Sequence, residues 1–108
     1  MNTKKILNNA GDYKANLFKR IQSPNFSKIY LETAFEEYQK DGDTKALLLA
    51  MRDVADAQGG IGKLAKKTSV NRQHLYDILA NKHNPKLNNW LNILSALGFK
   101  IKIERATT

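Results

Sequence analysis

Apolar residues recur every three or four positions along almost the whole chain, a pattern that predicts helices. Tyr13, Leu17 and Ile21, with Phe18 beside them, set out a first short helix. Ser23-Pro24-Asn25 interrupts it, because proline disfavours helix at the residue before it. The stripe Tyr30, Leu31, Ala34, Phe35 and Tyr38 predicts a second helix from about Phe26 to Lys40. Asp41-Gly42-Asp43 reads as a turn, with Asp43 as cap of a third helix from Thr44 to about Ala57. That helix turns Leu47, Ala50, Met51, Val54 and Ala57 inward. Leu49 falls on its opposite face with Lys45, Arg52, Asp53 and Asp56.

Gln58-Gly59-Gly60 breaks the chain before a helix-turn-helix pattern over 61–80. Leu64 and Ala65 mark the inner face of its first helix. Thr68-Ser69-Val70 makes the turn, and Val70 plugs the angle between the helices. Asn71 caps the second helix, since its side-chain oxygen can accept a first-turn N–H. Leu75, Ile78 and Leu79 face inward there. A polar loop, Asn81 to Asn84, leads to a last helix capped by Asn84 and opened by Pro85. Leu87, Trp90, Leu91, Leu94 and Leu97 are its expected inner face, and Gly98 its C-cap. From Phe99 to Arg105 the period becomes two, with Phe99, Ile101 and Ile103 on one face. This predicts a half-buried strand, which needs a second strand to pair with. The expectation is a mainly α fold: a small helical bundle with a helix-turn-helix core and a short C-terminal β-strand. Residues 1–25 form an N-terminal extension with a short helix, and 26–108 the helix-turn-helix domain with its strand at 99–105.

Charge sharpens this picture. Residues 1–58 hold nine Lys and Arg against eight Asp and Glu, a net +1. Residues 59–108 hold nine against two, a net +7. The excess lies in the half with the helix-turn-helix, as expected of a phosphate-backbone binder. There is no cysteine, so a disulfide framework or thiolate metal site is excluded. The two histidines, His74 and His83, lack zinc-type spacing. No phosphate loop, nucleophile elbow or glycine fingerprint is present, and adjacent Glu36 and Glu37 diverge on a helix. An enzyme is not expected, nor a cofactor or metal. The N-terminus lacks the apolar core of a secretory signal, and no apolar run could span a bilayer; a cytoplasmic bacterial or phage protein is expected.

Arg72, Gln73 and His74 open the second helix of the motif, where a recognition helix meets base edges. Arg can bond guanine O6 and N7, and Gln adenine N6 and N7. Tyr76 and Asp77 lie one turn on and flank the groove; Asp77 can accept from cytosine N4. Asn71, Lys63, Lys66, Lys67, Lys82 and Lys86 are the expected phosphate contacts, which position without reading sequence. The acidic stretch with Glu32, Glu36 and Glu37 suits a basic protein partner, or is an ordinary solvated helix face. Trp90, Phe99, Ile101 and Ile103 are the candidate interface of a homodimer bound to a palindromic double-stranded site.

The run Leu64-Ala65, Val70-Asn71-Arg72, Leu75-Tyr76, Asn84-Pro85, Leu87 and Ala96-Leu97-Gly98 resembles the Cro/phage-repressor (XRE-type) helix-turn-helix. Upstream, Tyr30-Leu-Glu-Thr-Ala-Phe-Glu-Glu37, Asp41-Gly42-Asp43 and Ala50 to Gly60 are similar to addiction-module antidote proteins, the HigA-like antitoxins. The resemblance covers about residues 26–103. One departure is Ser69, where the family usually has glycine in the turn. The resemblance implies a dimer that represses its own operon and sequesters a RelE/ParE-superfamily toxin that cleaves mRNA on the ribosome. A stand-alone phage-type repressor without a toxin is the alternative.

Overall fold

The computed structural model describes residues 13–107. Six helices follow one another among them: α1 over 13–21, α2 Pro24–Asp41, α3 Thr44–Ala57, α4 Ile61–Thr68, α5 Arg72–Leu79 and α6 Leu87–Ala96. Residues 1–12 of the expected N-terminal extension lie outside the described residues.

The helix ends follow local chemistry. Pro24 occupies the first turn of α2, where its missing N–H costs nothing, so that helix starts two residues before the expected Phe26. Asp43 caps α3, accepting from the Ala46 N–H at 3.1 Å. α3 ends where Gly59 takes φ +116°; its N–H reaches Asp56 and that of Gly60 reaches Ala55. A side chain at Gly59 would be strained by that φ and would also meet Lys63. α6 closes in the same way: Gly98 at φ +97° donates to Ser95 and Phe99 to Leu94.

α3 is the hub. It packs along α2 on one side and meets both α4 and α5, while α6 lies against α4. Met51 and Val54 are completely buried at its centre, joined by Leu31, Leu48, Leu64, Leu75, Ile78 and Ile93 in one core. Truncating such a side chain to Ala typically costs about 2–5 kcal/mol. Leu48, Ala55 and Ile93 are buried although the sequence stripe passed over them; for Leu48 and Ala55 the reason is that α3 meets α2, α4 and α5. Ser27 and Gln58 are among the polar side chains that bind elements together. Ser27 donates to the Ile21 carbonyl, fixing α1 on α2. Gln58 donates to the Leu97 carbonyl at 2.8 Å, fixing the end of α3 to the end of α6.

Several expectations are corrected. The last helix begins at Leu87, with Lys86 rather than Asn84 at its N-cap; Lys86 is extended at ψ 160°, which postpones the first turn beyond Pro85. Leu87 is 70% exposed rather than inward, since Trp90 is the first side chain of α6 to reach the core. Leu91, Tyr13 and Phe18 are also exposed. The C-terminal strand is absent: no strand occurs among the described residues, and 99–107 has no regular secondary structure. Only Phe99 packs on the core, and Ile103 is 93% exposed. The alternating pattern is real, but a strand exists only where a neighbour accepts its N–H and C=O groups.

Candidate nucleic-acid interface

The turn between α4 and α5 is built from three residues. Ser69 sits in the left-handed region at φ 59°, and its N–H donates to the Ala65 carbonyl at 3.1 Å. Buried Thr68 closes the bend through its hydroxyl, which donates to the Ala65 carbonyl and accepts from the Val70 N–H, both at 3.2 Å. Val70 is half-buried against the core, as its plugging role requires. Asn92 of α6 donates to the Thr68 carbonyl at 2.9 Å. This bond ties the turn to the neighbouring helix, and no local sequence signal announces it.

Asn71 then caps α5. Its Oδ1 accepts from the N–H groups of Gln73 and His74, at 2.8 and 3.3 Å. The cap leaves Arg72, Gln73 and His74 exposed on the first turn of α5. The Arg72 guanidinium lies beside Gly62 of α4, where an added Cβ would come within 3.7 Å of it. Gln73 donates to Asp77 at 3.1 Å, one turn along the same face. Asp77 is half-buried and also has Lys82 at 3.9 Å and His83 at 4.0 Å. Its carboxylate is therefore surrounded by donors from its own chain. His74 leans toward the following loop, with its ring 6.0 Å from that of His83.

Around this first turn lies an open groove of about 750 Å³, lined by Arg52 and Asp56 of α3, Ile61 of α4, and Asn71, Arg72, Gln73 and Tyr76. Arg52, Asp56 and Ile61 are members that the sequence did not assign, and Arg52 is the cation among them. The helical pattern grouped it with exposed Leu49, away from the core, but the turn of the chain brings that edge of α3 beside α5. Its guanidinium stands 5.2 Å from the Tyr76 ring centroid, and Lys82 stands 5.7 Å from the same ring. Cations at such distances are held by the ring's negative face.

The expected phosphate contacts divide. Lys66 is one helical turn from Gly62, so it shares the edge of α4 that meets Arg72. Lys63 and Lys67 instead border a small crevice with Gln58, Ala96 and Leu97, toward α6. Lys82 joins the Tyr76 side, and Lys86 is exposed at the start of α6. Glu32, Glu36 and Glu37 are exposed on α2; Glu32 pairs with Lys28 and Glu37 with Lys40, both at 3.7 Å. Of the candidate dimer residues, Trp90 stacks edge-on against Phe35 and Phe99 packs on the core, whereas Ile101 and Ile103 are exposed. No helix among the described residues is long and apolar enough to cross a membrane.

The titration of Tyr30 is displaced. Burial pushes its hydroxyl well above the ordinary tyrosine range, and the bond it donates to Asp53 at 2.7 Å reinforces the shift. It lies between α2 and α3, outside the groove at α5.

The sequence model of a family described as probable addiction module antidote protein matches residues 8–105. The chain belongs to that family. No curated protein and no solved structure matches it.

Proposed function

We propose that this antidote is the DNA-binding antitoxin of a type II toxin–antitoxin module, which neutralises a RelE/ParE-superfamily toxin and represses its own operon. Family membership supports the antidote role. The observation that carries the DNA-binding role is the first turn of α5, capped from within by Asn71 and presenting Arg72, Gln73 and His74 to solvent.

In this reading the start of α5 enters the major groove of an operator. Arg72 reads guanine with its fork, and Gln73 reads adenine while Asp77 steadies its amide. His74 and Tyr76 flank the reading pair. Lys66, Lys82 and Lys86 neutralise phosphates, and Lys63 and Lys67 extend the basic field at the α6 edge. Arg52 adds a cation from α3. Asn71 contributes its cap, which holds the first-turn N–H groups in place. Specificity comes from two copies on a palindrome, with Ile101 and Ile103 as the free apolar part of the dimer contact beside Trp90 and Phe99. Toxin is held away from the basic half, on the side of α2 that carries Glu37.

The test combines an operator-binding assay on the chain's own promoter with co-purification from its native operon. Sequence-specific binding and a recovered small basic toxin are the expected results. Specific binding with no toxin in the operon would favour the stand-alone repressor, and loss of both would remove the reading.

A further inference from the structure

A second groove lies between α2 and α3, with a volume of about 360 Å³. Small side chains create it: Ala46 and Ala50 on α3 face Thr33 and Ala34 on α2. Phe26, Ile29 and Tyr38 wall it, and Ile29 is 60% exposed. A large aliphatic side chain left in water on a helix face, beside a concave apolar floor, is a surface that a partner can cover.

One end of this groove is acidic. Glu37, Asp41 and Asp43 line it, at the C-terminal end of α2. Lys40 pairs with Glu37 across an exposed 3.7 Å contact, and Asp41 and Asp43 leave that end with two negative charges. The groove is thus apolar along its length and anionic at one end, in a protein whose other half is strongly cationic.

We propose that the α2–α3 groove is the docking site for an amphipathic helix of a basic partner protein, with apolar side chains on Ala46, Ala50 and Ile29 and a Lys or Arg against Glu37 and Asp41. The inference rests on the antitoxin reading for the identity of that partner, the toxin. Two helices with a shallow apolar channel between them match the way an amphipathic helix is bound in a groove. Glu32 and Glu36, which the sequence singled out with Glu37, do not line the channel; Glu37 alone does. The location also permits simultaneous DNA binding. Arg52 and Asp56, which face α5, lie six residues on from Ala46 and Ala50, about a third of a turn round α3. A partner in the groove therefore leaves the first turn of α5 open.

Four variants of the full chain test this, each first shown to bind operator DNA as a check on folding. Ala46→Phe fills the channel at an exposed position, Ile29→Ser removes its main apolar wall, and Glu37→Lys reverses its anionic end. Glu32→Lys combined with Glu36→Lys changes the charge outside it. Affinity is measured for the toxin encoded beside this gene. In parallel, a synthetic amphipathic peptide of leucine and lysine, and its glutamate-for-lysine twin, are titrated while groove resonances are followed by NMR. Each channel variant is expected to weaken toxin binding at least about tenfold, the double variant to leave it unchanged, and only the lysine peptide to shift the groove resonances. If wild type binds toxin and the channel variants bind equally well, the groove assignment is overturned and the antitoxin reading stands. If wild type binds no toxin but the lysine peptide fills the groove, the antitoxin reading fails and the groove remains a site for a basic helix. If neither binds, both fall. If Ile29→Ser instead converts a dimer to a monomer and leaves toxin binding intact, a second copy is the occupant and the proposal is wrong.

Discussion

The guanidinium of Arg52 stands 5.2 Å from the centre of the Tyr76 ring, which joins the hub helix α3 to the first turns of α5. The contact holds a cation at the rim of the groove beside Arg72 without using an acidic partner. If that rim faces DNA, Arg52→Ala weakens binding to all sequences alike and reduces the slope of log affinity against log salt by about 1. Fluorescence anisotropy over a salt series measures this. An unchanged slope would show that Arg52 only packs against Tyr76.

Base reading is expected from the next residues along. Arg72→Ala and Gln73→Ala should each lose about 1–3 kcal/mol on the operator and relax the preference at one base pair. Lys66→Ala should weaken specific and random DNA equally. Competition against single-base operator variants separates these patterns. Uniform losses from all three substitutions would remove Arg72 and Gln73 from the reading role.

The turn of the motif holds a residue in a costly conformation. Ser69 has φ 59°, where a side chain is disfavoured and glycine is not. Relief of that conformation outweighs the extra chain entropy of glycine in the unfolded state, so Ser69→Gly should raise stability by up to about 1 kcal/mol. Ser69→Val should lower it. Urea denaturation followed by circular dichroism gives both values, and a destabilised glycine variant would mean that the Ser69 side chain contributes more than it strains.

Stability should also report on Tyr30. Its folded-state pKa is raised, mainly by burial and then by its bond to Asp53. A raised folded pKa gives stability that is fully present below the unfolded value, about pH 10 for tyrosine, and is lost as pH rises above it. Wild type should therefore lose stability more steeply above about pH 10 than Tyr30→Phe, which has no proton to release. Thermal unfolding of both between neutral and strongly alkaline pH tests the difference; parallel curves would mean that Tyr30 ionises as freely folded as unfolded.

Assembly makes the last prediction. The chain should form a dimer that binds half-sites about 34 Å apart. Ile101→Asp with Ile103→Asp should impair dimerisation while leaving the helical core intact, because both side chains lie outside it. Light scattering of free and operator-bound protein at micromolar concentration is the measurement. A monomer in both states would rule out the two-copy arrangement.

The helices, their turns and the caps of α3 and α5 are legible in the sequence because their determinants are local, whereas the start of α6 is not. Asp43 before a stripe at 47, 50, 51 and 54, and Asn71 before Leu75, Ile78 and Leu79, specify where α3 and α5 begin through bonds spanning two or three residues. The exposed trio Arg72, Gln73 and His74 follows from the same cap. What depends on remote neighbours was decided by the tertiary structure. Phe99 to Arg105 alternates like a strand, yet no partner strand meets it among the described residues, and main-chain groups without a partner do not make a sheet. Leu87 lies on the apolar stripe of α6 but on a turn that precedes the core, so periodicity assigned it to the wrong environment. Arg52 entered the α5 groove, and Ala46 with Ala50 opened a channel beside α2, because those helices pack at different edges of α3. The bond from Asn92 to Thr68 spans 24 residues and joins two elements whose approach no periodicity encodes. Sequence spacing within one helix states which residues share a face; only the packing of the helices states what that face meets.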